Sequence, residues 1–310
     1  MATSTRPSRF ARPSLAIATV LLVGLAAVAF GPRLGAQAGS PRPTDRGMFV
    51  SVVDKDGRPV PDLTASDFLV REDGVEREVV SARRATDPID LALLVDTSQS
   101  GTAYLPDVRR ALGRFVKKMA GPNHVAIVGF GERPTFYANY TRDLTLLQQG
   151  IDRLFPISGS GSYLLEAVDE TCASLAKRDY ERAVIVAITA GGPEFSERDY
   201  EAFVSTLRKS GATFDALVFS LESPNLADFG QRNREQFLDV ATASSGGQRV
   251  LLLSSMAVDG ALDRLGDELA GQYRVTYGRP DRLIPPRKIE VSVRREGLTA
   301  RGTPILARAR

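Results

Sequence analysis

The sequence has little of the two side chains from which many metal centres and catalytic triads are built. Its 310 residues include one cysteine, Cys172, and one histidine, His124. A single cysteine excludes an intramolecular disulfide framework and any zinc or iron–sulfur site that needs several thiolates. A single histidine excludes a site with two imidazole ligands and leaves few routes to a Ser/His/Asp triad. Cys172 lies in a helical pattern, which predicts a small buried side chain.

The chain also lacks a strong excess of charge once its N-terminal segment is set aside. It has 40 Lys and Arg residues against 37 Asp and Glu residues, a formal net charge of +3. Residues 1–38 contain four arginines and no acidic residue, so the remainder carries a net charge of −1. Such a neutral remainder does not suit an electrostatic nucleic-acid binder, and we expect no nucleic-acid partner.

The N-terminal segment has the order of a secretory signal peptide. Three arginines precede an uncharged apolar run over residues 15–30, and the small residues Ala36 and Ala38 follow it. This order predicts cleavage after Ala38, with an uncleaved membrane anchor as the alternative. Both interpretations place the rest of the chain outside the cytoplasm. We therefore expect residues 1–38 to direct export, and the protein to be periplasmic, secreted or anchored to the outer side of the cytoplasmic membrane.

Beyond this segment the hydrophobic pattern predicts an α/β domain. Residues 39–46 are typical of a linker, and residues 47–86 predict a small β element. Residues 87–270 alternate continuous apolar runs with helical stretches, as in a doubly wound, mostly parallel Rossmann-like sheet covered by helices on both faces. The expected core strands are 91–95, 125–130, 183–188, 214–219 and 250–253, the expected edge strand is 133–140, and the expected helices are 106–119, 144–154, 163–177, 197–209, 232–243 and 258–270.

Strand character returns in the C-terminal part of the chain. Ile289, Val291 and Val293 alternate with polar residues, as a half-buried strand requires. Neither residues 47–86 nor the C-terminal strands and tail, residues 271–310, are long enough to be stable alone. We therefore expect the two segments to pair as flanking β-strands beside the α/β domain.

The most informative motif follows the first core strand. Asp96, Ser98 and Ser100 form a D-x-S-x-S pattern directly after the apolar run 91–95. Ligands of parallel sheets lie at the carboxyl ends of the strands, and Mg²⁺ prefers oxygen ligands. The motif therefore suits a hard cation held by two hydroxyls and a carboxylate. The alternative is an Asp- and Ser-rich turn that caps the next helix, which these residue types favour without any metal.

This motif resembles the adhesion site of the von Willebrand factor A (VWA) domain. Residues 48–80 are similar to the segment that precedes the domain in a bacterial family of exported VWFA-related domain proteins. Later landmarks of that family match residues 125–130, 140–143, 244–247 and 271–273. The resemblance covers about residues 46–305 and implies a VWA fold with a divalent-metal site.

The resemblance also implies which residues hold the metal. The D-x-S-x-S residues match the first metal loop of the family, and Ser162 takes the place of a threonine in the second. The third loop of the family reads Thr-Asp-Gly, whereas here Ala190 replaces the aspartate. Asp96 is then the one certain carboxylate, with Glu194 four residues beyond position 190 as a candidate substitute. Mg²⁺, Mn²⁺ or Ca²⁺ is the implied ion, and a degenerate site in a scaffold domain is the alternative.

These features favour a non-enzymatic protein that mediates protein–protein interaction or adhesion. By resemblance, an Asp or Glu of an extracytoplasmic partner would complete the metal site. A metal-independent scaffold or assembly subunit of the cell envelope is the second hypothesis. A hydrolase is less favoured, because His124 precedes a core strand and is expected at the sheet edge opposite Ser98. A membrane is an expected partner only if residues 1–38 are not cleaved.

Overall fold

The computed structural model describes residues 45–219, 225–279 and 286–304. The predicted signal segment, residues 1–38, lies outside them, and so does most of the predicted linker 39–46. The first strand begins at Asp45, within that linker. Among the described residues, no helix combines the length and the apolar character needed to cross a membrane.

The described residues form thirteen strands and six α-helices. The strands are β1 (Asp45–Val53), β2 (Phe68–Glu72), β3 (Val75–Arg77), β4 (Val79–Arg84), β5 (Ile89–Val95), β6 (His124–Gly129), β7 (Thr135–Thr141), β8 (Arg182–Thr189), β9 (Thr213–Phe219), β10 (Arg249–Leu252), β11 (Tyr273–Gly278), β12 (Ile289–Val293) and β13 (Thr299–Pro304). The helices are α1 (Leu105–Met119), α2 (Leu144–Asp152), α3 (Leu164–Leu175), α4 (Tyr200–Ser210), α5 (Phe229–Ser245) and α6 (Ala257–Ala270).

The central sheet has six strands in the order β10-β9-β8-β5-β6-β7. Five of them are parallel and β7 is antiparallel at one edge, where the sequence predicts an edge strand. The chain leaves β5 toward β6 and β7 on one side, and later fills the other side with β8, β9 and β10. The direction of winding therefore reverses at β5, and this is where doubly wound sheets bind ligands. The predicted fold class, an α/β protein with a mostly parallel sheet, is confirmed.

Helices cover both faces of this sheet because its parallel strands are apolar on both sides. One face packs against α1, α2 and α6 in a core that includes Leu93 and Phe115. The other packs against α3, α4 and α5 in a core that includes Leu94 and Phe237. Cys172 contributes to this second core as a buried side chain, as expected, and burial raises the pKa of its thiol to about 11.

The N- and C-terminal strands pair, as the sequence predicts. One sheet has the order β13-β1-β11-β4, and a second has the order β12-β2-β3. Their shared core includes Val50, Phe68 and Val275. Tyr273 joins it to a surface loop, since its hydroxyl accepts a hydrogen bond from the Leu63 N–H at 3.1 Å and donates one to the Val60 carbonyl at 2.9 Å.

Polar contacts fasten these β-strands to the α/β part. The buried Arg182 guanidinium, at the start of β8, donates from Nε to Gln272 Oε1 at 3.0 Å. Gln272 in turn donates from Nε2 to Ser51 Oγ of β1 at 2.8 Å. The hydroxyls of Thr213 and Thr303 lie 2.6 Å apart and link β9 to β13. The two parts therefore share one buried hydrogen-bond network.

Asp215 lies buried within β9, and its surroundings oppose its negative charge. Burial, and after it the nearby Glu268 carboxylate, raises the pKa of Asp215 from its ordinary value of 3.8 to about 7. A hydrogen bond from the Gln248 N–H to Asp215 Oδ1, at 2.9 Å, opposes this rise only in part. The folded chain therefore holds a proton on Asp215 at pH values where the unfolded chain has released it.

This proton makes stability depend on pH. Because the folded-state pKa is the higher one, we expect the free energy of unfolding to fall between about pH 4 and pH 7 and then to level off. Asp215→Asn keeps the size of the side chain and removes the titration. Its Tm should exceed that of the wild type at about pH 8 and should vary less with pH. Calorimetry across this range tests the expectation, and an equally steep pH profile in the variant would contradict it.

Candidate functional site

Three loops meet at the carboxyl edge of the central sheet. We define the first loop as residues 96–101 after β5, the second as 155–163 before α3, and the third as 190–196 after β8. The Ile157 N–H donates to the Thr97 carbonyl at 2.9 Å and joins the second loop to the first. The Ser162 N–H donates to the Pro193 carbonyl at 2.8 Å and joins the second loop to the third. All four residues predicted from the sequence to hold metal, Asp96, Ser98, Ser100 and Ser162, lie on these joined loops.

The Asp96 carboxylate is buried and held by three hydrogen-bond donors. Its Oδ1 accepts from the Ser98 N–H at 2.9 Å, which curls the first loop back on itself. Its Oδ2 accepts from the Thr189 hydroxyl at 3.2 Å and from the Ala190 N–H at 3.0 Å. Ala190, which replaces the aspartate of the third loop, therefore still contacts Asp96 through its backbone N–H. The orientation of the carboxylate is fixed by protein groups on both the first and the third loop.

The two serines of the motif differ in their surroundings. Ser98 is 1% exposed, and its Oγ has no hydrogen-bond partner among the described residues. An unpaired buried hydroxyl is costly, so it calls for a ligand that completes it. Ser100 is partly exposed and lies against the third loop, since a Cβ placed on Gly192 would be 2.0 Å from Ser100 Oγ. Gly192, with φ of +83°, allows this close approach of the two loops.

Ser162 is fully buried and belongs to a second hydrogen-bond cluster. Its hydroxyl donates to Glu194 Oε2 at 2.8 Å. The hydroxyl of Ser196 lies within hydrogen-bond contact of both Glu194 Oε1 and Glu166 Oε2. Burial raises the pKa of Glu194 to about 7, while hydrogen bonds from Ser196 and Ser162 and the charge of Arg234 oppose that rise. Glu194 thus lies at the site, but in contact with a hydroxyl ligand rather than at the position of the missing aspartate.

Arg234 of α5 anchors the third loop. This guanidinium is 3% exposed and donates from Nη1 to the Gly192 carbonyl at 3.0 Å. Its neighbour on the helix, Gly230, packs against the Glu194 carbonyl, where a Cβ would be 1.9 Å from the oxygen. Sequence analysis did not find Arg234, Glu166 or Ser196. Gly230 and Arg234 lie four residues apart on one helix face, but nothing in this spacing alone points to the third loop.

The donor set at the three loops fits a hard cation. Among the described residues there is no group of three or more His, Cys, Asp and Glu side chains that could hold a metal. The oxygens of Asp96, Ser98, Ser100 and Ser162 are instead the donor type that Mg²⁺, Mn²⁺ and Ca²⁺ prefer. The unpartnered Ser98 hydroxyl is the observation that speaks for this fit. Against it stands the methyl group of Ala190, which supplies no charge.

An exposed aromatic ring borders the second and third loops. Phe195 is 50% exposed, and its ring lies over Gly161, where a Cβ would be 2.3 Å from the ring. The Tyr163 ring has its centroid 5.9 Å from that of Phe195. Phe229, at the first turn of α5 beside Gly230, is 47% exposed. Aromatic side chains are enriched at surfaces that contact another protein.

His124 lies at the opposite edge of the sheet, as predicted. It begins β6, and its Nδ1 is 2.9 Å from Asp90 Oδ1 near the start of β5. Arg178 Nε donates to the other oxygen of the same carboxylate at 2.7 Å. Asp90 and Asp96 are separated by six strand positions, about 20 Å. The imidazole therefore lies far from the serines of the first loop.

Comparison with known proteins places this geometry in a family. The sequence profile of the von Willebrand factor type A domain matches residues 91–193, which span the first two loops and part of the third. No sequence among the curated proteins matches the chain.

The chain is similar to several solved structures. Proximal thread matrix protein 1 from the mussel byssus is 15% identical with a TM-score of 0.51, and the match covers 64% of this chain and 50% of that one. The vWF domain of the type V pili tip protein Mfa5 from Porphyromonas gingivalis is 14% identical with a TM-score of 0.46, covering 60% and 96% of the two chains. BatB from Bacteroides thetaiotaomicron is 17% identical with a TM-score of 0.45, covering 58% and 98%. At 15% identity, the likeness to proximal thread matrix protein 1 supports the fold and no more.

Two glycines of the site provide a test of the loop arrangement. Gly192 and Gly159 both have left-handed backbones, with φ of +83° and +74°, but a Cβ on Gly159 would meet nothing within 4 Å. Gly159→Ala should cost about 1–2 kcal/mol of stability from the backbone alone. Gly192→Ala should cost more, because its methyl group also collides with Ser100. Urea unfolding of both variants measures the difference, and equal losses would contradict the close approach of the first and third loops.

Proposed function

We propose that this protein, which contains a von Willebrand factor type A domain, is a non-catalytic binding module that contacts another protein through the carboxyl edge of its central sheet. The observation that carries the proposal is the unpaired, buried Ser98 hydroxyl beside a fixed Asp96 carboxylate. They lie where three loops meet at the point of reversed winding, the usual ligand position in such sheets. The proposed contact is dependent on a divalent cation.

The cation would be held by the oxygen atoms of the first and second loops. Asp96 supplies the charge, and Ser98, Ser100 and Ser162 supply neutral hydroxyl oxygens. Fixing Asp96 by three donors before any ion arrives lowers the entropy that binding must remove. A bound hard cation supplies a positive centre that can accept one further oxygen, such as an Asp or Glu carboxylate of the partner. The exposed ring of Phe195 offers apolar contact next to that point.

We place this interaction outside the cytoplasm. The support is the order of residues 1–38, in which arginines, an apolar run and small residues follow one another as in a secretory signal. The partner would then be an extracytoplasmic protein, and the module would be periplasmic, secreted or anchored at the envelope.

A metal-independent scaffold is the second candidate. The composition of the third loop favours it. Ala190 removes one carboxylate from the site, and affinity for hard cations depends on the number of charged ligands. In this case the three loops would have a structural role only, and partners would bind without a cation.

Metal-dependent melting separates the two candidates. We expect millimolar Mg²⁺ or Mn²⁺ to raise the Tm of the wild type, because an ion that binds only the folded state stabilises it by about 2.7 kcal/mol at 100 times its dissociation constant. Asp96→Ala should abolish the shift. Asp90→Ala is the matched control, since this carboxylate lies on the strand that Asp96 directly follows and is equally buried, at 4% exposure for each. It should lower the Tm but keep the shift. A wild type that does not respond to metal would favour the scaffold.

Capture of partners provides the second test. The tagged protein is incubated with extracellular and envelope extracts of its own cells, with Mg²⁺ or with EDTA. We expect at least one protein to be retained by the wild type and by Asp90→Ala in Mg²⁺, and to be lost with EDTA or with Asp96→Ala. Retention that is equal under all four conditions would contradict binding through the cation.

A further inference from the structure

The proposed cation site poses a problem of charge and of hydroxyl orientation. With Ala190 in the third loop, Asp96 is the one carboxylate that would face a doubly charged ion. A serine hydroxyl has one proton and two lone pairs. When a lone pair faces a cation, the proton has to be donated to an acceptor on the far side. At Ser162 that acceptor is Glu194 Oε2, at 2.8 Å.

We infer that Glu194 is the positioning residue of this site: it turns the lone pairs of Ser162 toward the cation and supplies, from behind the second loop, the negative charge that position 190 lacks. The inference rests on the proposed cation site. It differs from direct substitution, in which the Glu194 carboxylate would itself replace the aspartate as a ligand, because the contacts place this carboxylate on the hydroxyl and not on Asp96.

The backbone fixes Glu194 against Ser162. The two residues form an isolated parallel β-bridge, in which the Ser162 N–H donates to the Pro193 carbonyl at 2.8 Å and the Phe195 N–H donates to the Ser162 carbonyl at 2.9 Å. The two residues that flank Glu194 in the chain are therefore both hydrogen-bonded to the backbone of Ser162, and this fixes the Glu194 backbone beside Ser162. A hydroxyl held in this way needs no rearrangement when an ion binds.

The Glu194 carboxylate is also held at both of its oxygens. Oε2 accepts the Ser162 hydroxyl and lies 3.4 Å from the Leu164 N–H. Oε1 accepts the Ser196 N–H at 3.3 Å. A carboxylate that is 4% exposed and bonded at each oxygen cannot rotate away to solvent. This is the arrangement by which outer carboxylates orient metal ligands and raise their basicity.

Arg234 holds the third loop, which carries Glu194, from the side of α5. Arg234, itself buried, is held to the Gly192 carbonyl at 3.0 Å and pairs with Glu235 at 3.4 Å. The third loop, which carries Glu194, is thus held by the second loop on one side and by α5 on the other.

Metal affinity in single and double variants tests the inference. Calorimetric titration with Mn²⁺ is carried out at about pH 8 on the wild type, Glu194→Gln, Ala190→Asp and the double variant. Glu194→Gln should bind about 10- to 100-fold more weakly, the usual effect of losing an outer partner of a metal ligand. The double variant should recover most of the loss, because it returns one carboxylate to the site. Glu197→Gln, which neutralises an exposed carboxylate three residues further on, should bind like the wild type.

The variants also separate this inference from a structural role and from the proposed function. The metal-free Tm of each variant reports folding. If Glu194 only stabilises the loops, Glu194→Gln will weaken Mn²⁺ binding by the same factor whether position 190 is Ala or Asp. Equal affinity of wild type and Glu194→Gln would overturn the inference while leaving the cation site intact. Binding by Ala190→Asp but not by the wild type would also overturn it, since Glu194 would not compensate. Absence of binding in all variants would overturn the proposed cation site together with the inference.

Discussion

Strand β5 is paired along both of its edges and buried on both of its faces, and the rest of the site depends on this constraint. Its register with β6 and β8 is continuous, from Ile89 opposite Arg182 to Val95 opposite Ile188 and Gly129. Because both edges of β5 are paired up to Val95, the chain can leave the sheet only after that residue. The loop that follows has to turn at Asp96, between the ends of two neighbouring strands, where the Thr189 hydroxyl and the Ala190 N–H are within reach of the carboxylate.

The same site combines two separate hydrogen-bond clusters. One is centred on Asp96 and links the first and third loops, and the other is centred on Glu194 and links the second and third loops. The third loop belongs to both, and α5 holds it from behind through Arg234. A change at this loop therefore affects the charge of the site and the orientation of its hydroxyls together.

Much of the fold follows from local pattern, whereas the finer chemistry of the site does not. The apolar runs predict the parallel strands because each is buried on both faces, and the rule for carboxyl ends places Asp96 and Ser98 at the ligand edge. Strand β13 has the sequence TARGTP, which carries no apolar alternation, so its pairing with β1 could only be seen in the structure. The contact of Arg234 with the third loop joins positions 42 residues apart, and no local signal encodes it.

The position of β1 has a mechanical consequence. This strand lies between β11 and β13 and runs antiparallel to both, with six residue pairs in each register. Tension applied at Asp45 along the strand would load the hydrogen bonds of two ladders at the same time, in shear, instead of opening them one after another. A pull on the N-terminal end of β1 would thereby be resisted by strands from the C-terminal part of the chain.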